Sequence, residues 1–229
     1  MANNNENLIQ LASVAASLGG LLPDVTFVGG STTILLVDKA AHFGVRKTND
    51  VDVIVDIATL VEYHQFSENL RSLGFKEDVD GPICRWFVDT TIGQMTLDVM
   101  PTDEKILGFS NRWYGEAIKE ASTITLPNGL DIRVITPAYF IATKFEAFAG
   151  RGKGNYFSHD LEDIVFVMEN RRGLLNELIQ SPGDMKAYFA KQASLFLNDD
   201  FLNVLPGLLN NPASAGDIEN ALNIMKTWA

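Results

Sequence analysis

The sequence contains one cysteine, Cys84, in 229 residues. No disulfide can form within such a chain, and a reducing compartment suits it. No run of about 18 apolar residues occurs, so no transmembrane helix is expected. The opening residues, MANNNENLIQ, lack the basic start and apolar core of a secretory signal, and a cytoplasmic location with no membrane contact is the expectation. Histidine is also scarce. His42, His64 and His159 are scattered and have no cysteine partners, which argues against a zinc site. Positive charge is in short supply: 18 Lys and Arg face 29 Asp and Glu, for a formal net charge of −11. That balance excludes broad, non-specific binding to DNA or membranes, although not a local basic groove. The small basic islands are Arg46-Lys47, Arg151 with Lys153, and Arg171-Arg172. Neither G-x-G-x-x-G nor a Walker A loop is present. Gly150-Arg151-Gly152-Lys153-Gly154 has the composition of the latter but not its spacing or its Ser/Thr after Lys. There is no internal repeat.

The chain does have material for a core. Apolar residues make up 46% and charged residues 21%, as in ordinary globular chains, and the length suits one large domain or two small ones. The most informative stretch is Phe27 to Asp56, FVGGSTTILLVDKAAHFGVRKTNDVDVIVD. Residues 6–19 before it carry Leu8, Leu11, Val14, Ala15 and Leu18 on one helix face. Val25 to Val28 reads as a buried strand ending at Gly29-Gly30. Ser31 or Thr32 then caps a helix expected to run to about Phe43, with Gly44 as its stop. In Val51 to Val55 the period-two alternation turns Val51, Val53 and Val55 to one face and Asp50, Asp52, Ile54 and Asp56 to the other. A helix over 58–73, strands over 83–88 and 95–100, and a hairpin turning at Asn128-Gly129 follow. From Pro137, a good first residue for a helix, the patterns PAYFIATKFEAFA, DLEDIVFVMENR, LLNELIQ, DMKAYFAKQASLFL and DIENALNIMKTWA are all helical. A boundary is therefore placed near residue 135, with an α/β domain over 1–135 and a helical domain over 136–229.

Asp50 and Asp52 fall on one face of a strand, about 6.5–7 Å apart along it, and Asp98 lies in a second strand-like run, MTLDVM. Carboxylates gathered in a sheet are costly unless a cation compensates them. Divalent metal binds such oxygens, and arginine or lysine pairing is the plainer alternative. Gly29 and Gly30 allow backbone to approach a ligand closely. A following helix would aim free N–H groups at a phosphate there, and Ser31 adds a hydroxyl. Lys144 sits in a strongly apolar helix and needs an anionic partner: a phosphate, Asp160 or Asp163, unless it reaches solvent. Cys84 lies in an apolar run and reads as a core residue rather than a nucleophile.

Taken together, the apolar strand, Gly-Gly-Ser, helix, Thr48-x-Asp50-x-Asp52 and a later apolar-flanked Asp98 resemble the DNA polymerase β-like nucleotidyltransferase superfamily over roughly residues 25–100. The resemblance implies a mixed sheet flanked by helices and a helical C-terminal half. It also implies transfer of a nucleoside monophosphate from a nucleoside triphosphate to an acceptor hydroxyl. By that resemblance Asp50, Asp52 and Asp98 would hold two Mg²⁺ ions, with Mn²⁺ as a substitute, and Asp98 would help deprotonate the acceptor. Gly29, Gly30 and Ser31 would take the phosphates, with Arg46, Lys47 and Thr48 from the basic loop.

The second half is similar to the AbiEii/AbiGii-type nucleotidyltransferases, which include toxins of bacterial toxin–antitoxin systems. Lys144 and Ala147 match their Lys-x-x-Ala helix. Asp160 and Asp163 match their Lys-Asp-x-x-Asp helix start, where His159 replaces the lysine. This adds Lys144, Asp160 and Asp163 to the expected nucleotide site, with Lys144 also in the catalytic set. It implies tRNA or protein as acceptor and an antitoxin as partner. A non-catalytic nucleotide-binding module and an aminoglycoside-type transferase are the alternatives.

Overall fold

The computed structural model describes residues 6–152 and 154–228, so Lys153 of the second basic island and the first five residues of the opening segment lie outside the described residues. The chain divides into two compact units, Met1–Ile34 with Arg46–Thr136, and Leu35–Val45 with Pro137–Ala229. No helix among the described residues is long and apolar enough to cross a membrane.

In the first unit, α1 (Glu6–Leu18) buries Leu11, Val14, Ala15 and Leu18, the face its spacing marks. A seven-stranded mixed sheet follows. Its strands are β1 (Val25–Val28), β2 (Val51–Val55), β3 (Lys76–Glu77), β4 (Arg85–Thr90), β5 (Gly93–Pro101), β6 (Ser122–Thr125) and β7 (Asp131–Val134). Their spatial order is β3-β4-β5-β2-β1-β7-β6. Strands β2 and β5 run parallel, as do β1 and β7, and the other pairs are antiparallel. All four residues of β1 are buried, and Val53 and Ile54 of β2 are both fully buried, as expected of central strands covered on both faces. The β6–β7 turn uses Gly129 at φ +82°, and Asn128 Oδ1 accepts from the Leu130 N–H, the chemistry anticipated at that pair.

The helix after Gly29-Gly30 departs from expectation. Gly30–Thr32 is a 3₁₀ turn, α2 is only Thr33–Leu36, and Lys39–Gly44 is again 3₁₀. Neither Ser31 nor Thr32 caps it, and the Thr32 hydroxyl donates backward to the Gly29 carbonyl at 2.8 Å. The helix stops early because its backbone groups find partners farther along the chain. The Leu36 carbonyl accepts from Arg171 Nη1 at 2.7 Å, and the Asp38 N–H donates to the Asn170 carbonyl at 3.0 Å. Those bonds compete with the i→i+4 ladder and win. They also account for the basic pair Arg171-Arg172, since Arg172 in turn meets Asp38 at 3.3 Å.

The rest of the first unit adds α3 (Leu60–Ser72), α4 (Glu104–Leu107) and α5 (Tyr114–Lys119). Thr59 and Glu62 form a reciprocal capping box at the start of α3, a stop-and-start signal readable in sequence. In the second unit α6 (Pro137–Ala147) runs into a π-helical turn, Phe148–Gly152. It is followed by α7 (His159–Asn170), α8 (Leu174–Leu178), α9 (Gly183–Phe196), α10 (Asp199–Leu208) and α11 (Ala215–Lys226). The sequence patterns missed α10, whose interior holds Pro206. Asn198 caps it by accepting from the Phe201 N–H at 2.9 Å.

Candidate functional site

The loop that delivers Asp50 is held by α1. Asn7, fully buried, donates through Nδ2 to the Arg46 carbonyl at 2.9 Å and accepts from the Thr48 N–H at 3.1 Å. Gln10 donates to the Thr48 carbonyl at 3.1 Å. Thr48, itself buried, donates its hydroxyl to the Asp50 carbonyl at 3.1 Å. Thr48 thus shapes the entry to β2. Lys47 pairs with Glu6 at the surface, and Arg46 Nη1 lies 3.4 Å from the Lys47 carbonyl.

Strand register then places the carboxylates. Val28, Asp52, Asp98 and Arg85 stand in one row across β1, β2, β5 and β4. Neighbouring strands are about 4.8 Å apart, so Asp52 and Asp98 are adjacent, and Asp50 lies two residues along on the Asp52 face. Arg85 ties the group together. Its Nε donates to Asp98 Oδ1 at 2.9 Å, and its Nη2 donates to Asp98 Oδ2 at 2.7 Å and to Asp50 Oδ2 at 3.1 Å. Hydrogen bonding to Asp98 raises the Arg85 pKa above its ordinary value, against the opposing effect of burial. Arg85 escaped the sequence reading, because only the β4–β5 register shows that it faces Asp98.

Gly29 has φ +72°, and a Cβ built there would lie 1.9 Å from Asp52 Oδ2. Asp52 therefore rests against the backbone of the glycine turn, and glycine is required both for its dihedral and for its missing side chain. We expect Gly29→Ala to cost about 1–3 kcal/mol from strain alone and to displace Asp52. Denaturant unfolding checks this, and unchanged stability would refute it. Gly30 and Ser31 follow in the 3₁₀ turn, fully or nearly buried, and Ser31 Oγ has no hydrogen-bond partner among the described residues. The α2 helix is a single turn, so the dipole expected behind this glycine turn is small.

Whether these residues suit a divalent cation can be judged from their chemistry. The donors are all carboxylate oxygens, the hard ligands Mg²⁺ takes. Asp50 and Asp98 already share a cationic group, the Arg85 guanidinium. Asp98 is only 7% exposed, so its charge calls for a close cation. Among the described residues, however, no three His, Cys, Asp or Glu side chains gather closely enough to hold one metal ion. The donor type is one a divalent cation takes, but the side chains are arranged around arginine and not around a metal position.

Cys84 borders the group. It is buried, and its thiol pKa is pushed up to about 12 by burial and then by the Asp98 charge. A thiol so protonated is a poor nucleophile, in keeping with a core role. Cys84 should resist an aromatic disulfide reagent at pH 8 in the native protein and react within seconds once unfolded. Fast native labelling would contradict this placement.

In the second unit, Lys144, Asp160 and Asp163 form a buried cluster. Lys144 Nζ lies 3.1 Å from Asp160 Oδ1 and 2.8 Å from Asp163 Oδ2, and the three side chains are 5–9% exposed. Arg151, on the π-helical turn, forks onto Asp160 with Nε at 2.7 Å from Oδ2 and Nη2 at 2.7 Å from Oδ1. The anionic partners that Lys144 requires are thus Asp160 and Asp163. Burial works to raise the Asp160 pKa, but the bonds and charges from Arg151 and Lys144 outweigh it, and the net shift is downward. His159 faces Glu162 at 2.8 Å on the exposed side of α7.

The sequence matches no family model and no curated protein. Among solved structures, the fold matches that of an antigenic nucleotidyltransferase-like protein from Paracoccidioides brasiliensis. The TM-score is 0.52, with 19% identity over 80% of this chain and 91% of that one. The mixed seven-stranded sheet flanked by helices is therefore a nucleotidyltransferase-like fold.

Proposed function

We propose that the protein is a nucleotidyltransferase that moves a nucleoside monophosphate from a nucleoside triphosphate to an acceptor hydroxyl. The observation that carries this is the register that sets Asp52 beside Asp98, with Asp50 joined to Asp98 through Arg85 and the Gly29 turn against Asp52. The nucleotidyltransferase-like fold supports it.

Asp50, Asp52 and Asp98 would hold Mg²⁺, or Mn²⁺ in its place. Held there, such an ion would supply charge neutralisation for the triphosphate and for the leaving pyrophosphate. The acceptor oxygen forms a bond to the α-phosphorus as the bond from that phosphorus to the β-bridging oxygen breaks, and pyrophosphate departs. The Asp98 carboxylate takes the acceptor's proton. The backbone at Gly29 and Gly30 leaves room for a phosphate to approach, and the buried Ser31 hydroxyl is a donor in want of an acceptor. The acceptor proposed is tRNA or a protein hydroxyl, and toxin activity checked by an antitoxin is the biological setting proposed with it.

The test is label transfer from each α-labelled nucleoside triphosphate, with Mg²⁺, to total tRNA, to cell protein or to an aminoglycoside. Transfer to tRNA or protein that disappears in Asp50→Ala plus Asp52→Ala is the expected result, with growth arrest on expression relieved by the same changes. Mg-dependent nucleotide binding without pyrophosphate release would establish a second reading, a binding module without turnover. The guanidinium between Asp50 and Asp98 is the observation in its favour.

A further inference from the structure

We infer that Arg85 is an intramolecular counter-cation, which occupies the carboxylates of Asp50 and Asp98 in the resting protein and thereby sets how much divalent metal they require. This rests on the reading of those carboxylates as metal ligands. Three observations carry it. The guanidinium uses Nε and Nη2 on both oxygens of Asp98, and Nη2 also reaches Asp50. Those are the oxygens a metal would need. The group that holds them is therefore a competitor for the same lone pairs, not a bystander. Secondly, the contact is built by the fold. Arg85 and Asp98 are paired residues of adjacent antiparallel strands, and the Arg85 backbone is anchored at both ends, its N–H donating to the Pro82 carbonyl at 2.9 Å and its carbonyl accepting from the Asp78 N–H at 3.0 Å. Thirdly, the Arg85 side chain is 27% exposed and that of Asp50 35% exposed, whereas the side chain of Asp98 is 10% exposed. The cation is thus more open to solvent than the carboxylate it covers.

The consequence is an exchange: metal binds when the guanidinium gives up Asp98. Arg85 acts through Asp98 and is a positioning residue. Its effect has a sign that a purely structural role would not produce, because removing it strengthens metal binding whereas local disorder would weaken it. Close charge pairs are coupled strongly enough to be worth about tenfold or more in affinity.

The experiment is titration of Mn²⁺ into the full chain without nucleotide, following the electron paramagnetic resonance signal of the free ion. Arg85→Met should bind Mn²⁺ about tenfold more tightly than the unaltered protein. Arg85→Lys should fall between the two, because an ammonium cannot fork onto a carboxylate. The gain should vanish in Arg85→Met with Asp98→Asn. If Arg85→Met does not fold, as judged by circular dichroism, Arg85→Lys decides the matter by the same direction of change. Equal or weaker binding in the Arg85 variants, with Asp98→Asn alone weakening binding relative to the unaltered protein, would overturn the role of Arg85 and leave the metal reading standing. An absence of Asp98-dependent Mn²⁺ binding in every form would overturn both.

Discussion

Asp98→Asn should lower nucleotidyl transfer by about 10²–10⁴-fold while leaving the protein folded. The amide keeps the size of the carboxyl group and its oxygen can still accept one of the two Arg85 bonds, while the backbone ladder keeps β4 and β5 paired. What disappears is one negative charge and the capacity to take a proton from the acceptor hydroxyl. Asp98 is the most deeply buried of the three aspartates and the one that Arg85 grips with two nitrogens. A loss confined to kcat, with nucleotide affinity nearly unchanged, would mark Asp98 as the proton acceptor. A loss of nucleotide binding as well would mark it chiefly as a metal ligand. Transfer at the unaltered rate would remove Asp98 from the mechanism. The assay is label transfer to the acceptor found for the unaltered protein, with circular dichroism on the same samples.

Lys144→Met should destabilise the helical unit by about 3–5 kcal/mol, the usual cost of removing one partner from a buried ion pair. A folded domain is stable by only about 5–15 kcal/mol, so such a loss would bring this unit close to unfolding at body temperature. Methionine fills the volume, which leaves charge as the cause. Two nearby carboxylates, Asp160 and Asp163, lose the ammonium between them. Adding Asp163→Asn to Lys144→Met should restore part of the loss, because it deletes a charge that the lysine had been compensating.

Acid unfolding offers an independent reading of the same cluster. The folded pKa of Asp160 is lowered. Its ionised form therefore contributes stability above the unfolded value of about 3.9, and that contribution is lost as pH falls through the folded value. Lys144→Met raises the folded pKa and narrows that window, so acid unfolding should begin at higher pH. Chemical denaturation at pH 7 and a pH titration followed by circular dichroism check both statements. A cost under about 1 kcal/mol would show that Lys144 is not the charge that holds the cluster.

Much of this architecture follows from local pattern. The apolar stripe of α1, the alternation of β2, the Asn128-Gly129 turn and the helical run after Pro137 depend on periodicities of 3.6 and 2 and on glycine dihedrals. Those are properties of neighbouring residues, so they can be read without the fold. Asp52 and Asp98 were legible for the same reason, since apolar flanks put each on a strand, and Asp50 stands immediately before β2 in the same alternation. α10 was not, because Pro206 and Gly207 argue against a helix that the Asn198 cap and the burial of Phe201 and Leu205 nonetheless sustain.

By itself, then, the sequence determined most of the strands and helices, α2 and α10 excepted, and the alternation that turns Asp50 and Asp52 to one face. Tertiary structure alone decided what those aspartates meet. That Asp52 stands beside Asp98, that Arg85 reaches from β4 across Asp98 to Asp50, and that Gly29 must leave its Cβ position to the Asp52 carboxylate are all matters of strand order and register. So too is the shortening of α2, whose last carbonyl is claimed by Arg171, 135 residues away. Local propensity is a matter of a few tenths of a kcal/mol per residue. Hydrogen bonds to charged groups, at about 1.5–3 kcal/mol, override it wherever the fold brings them to hand.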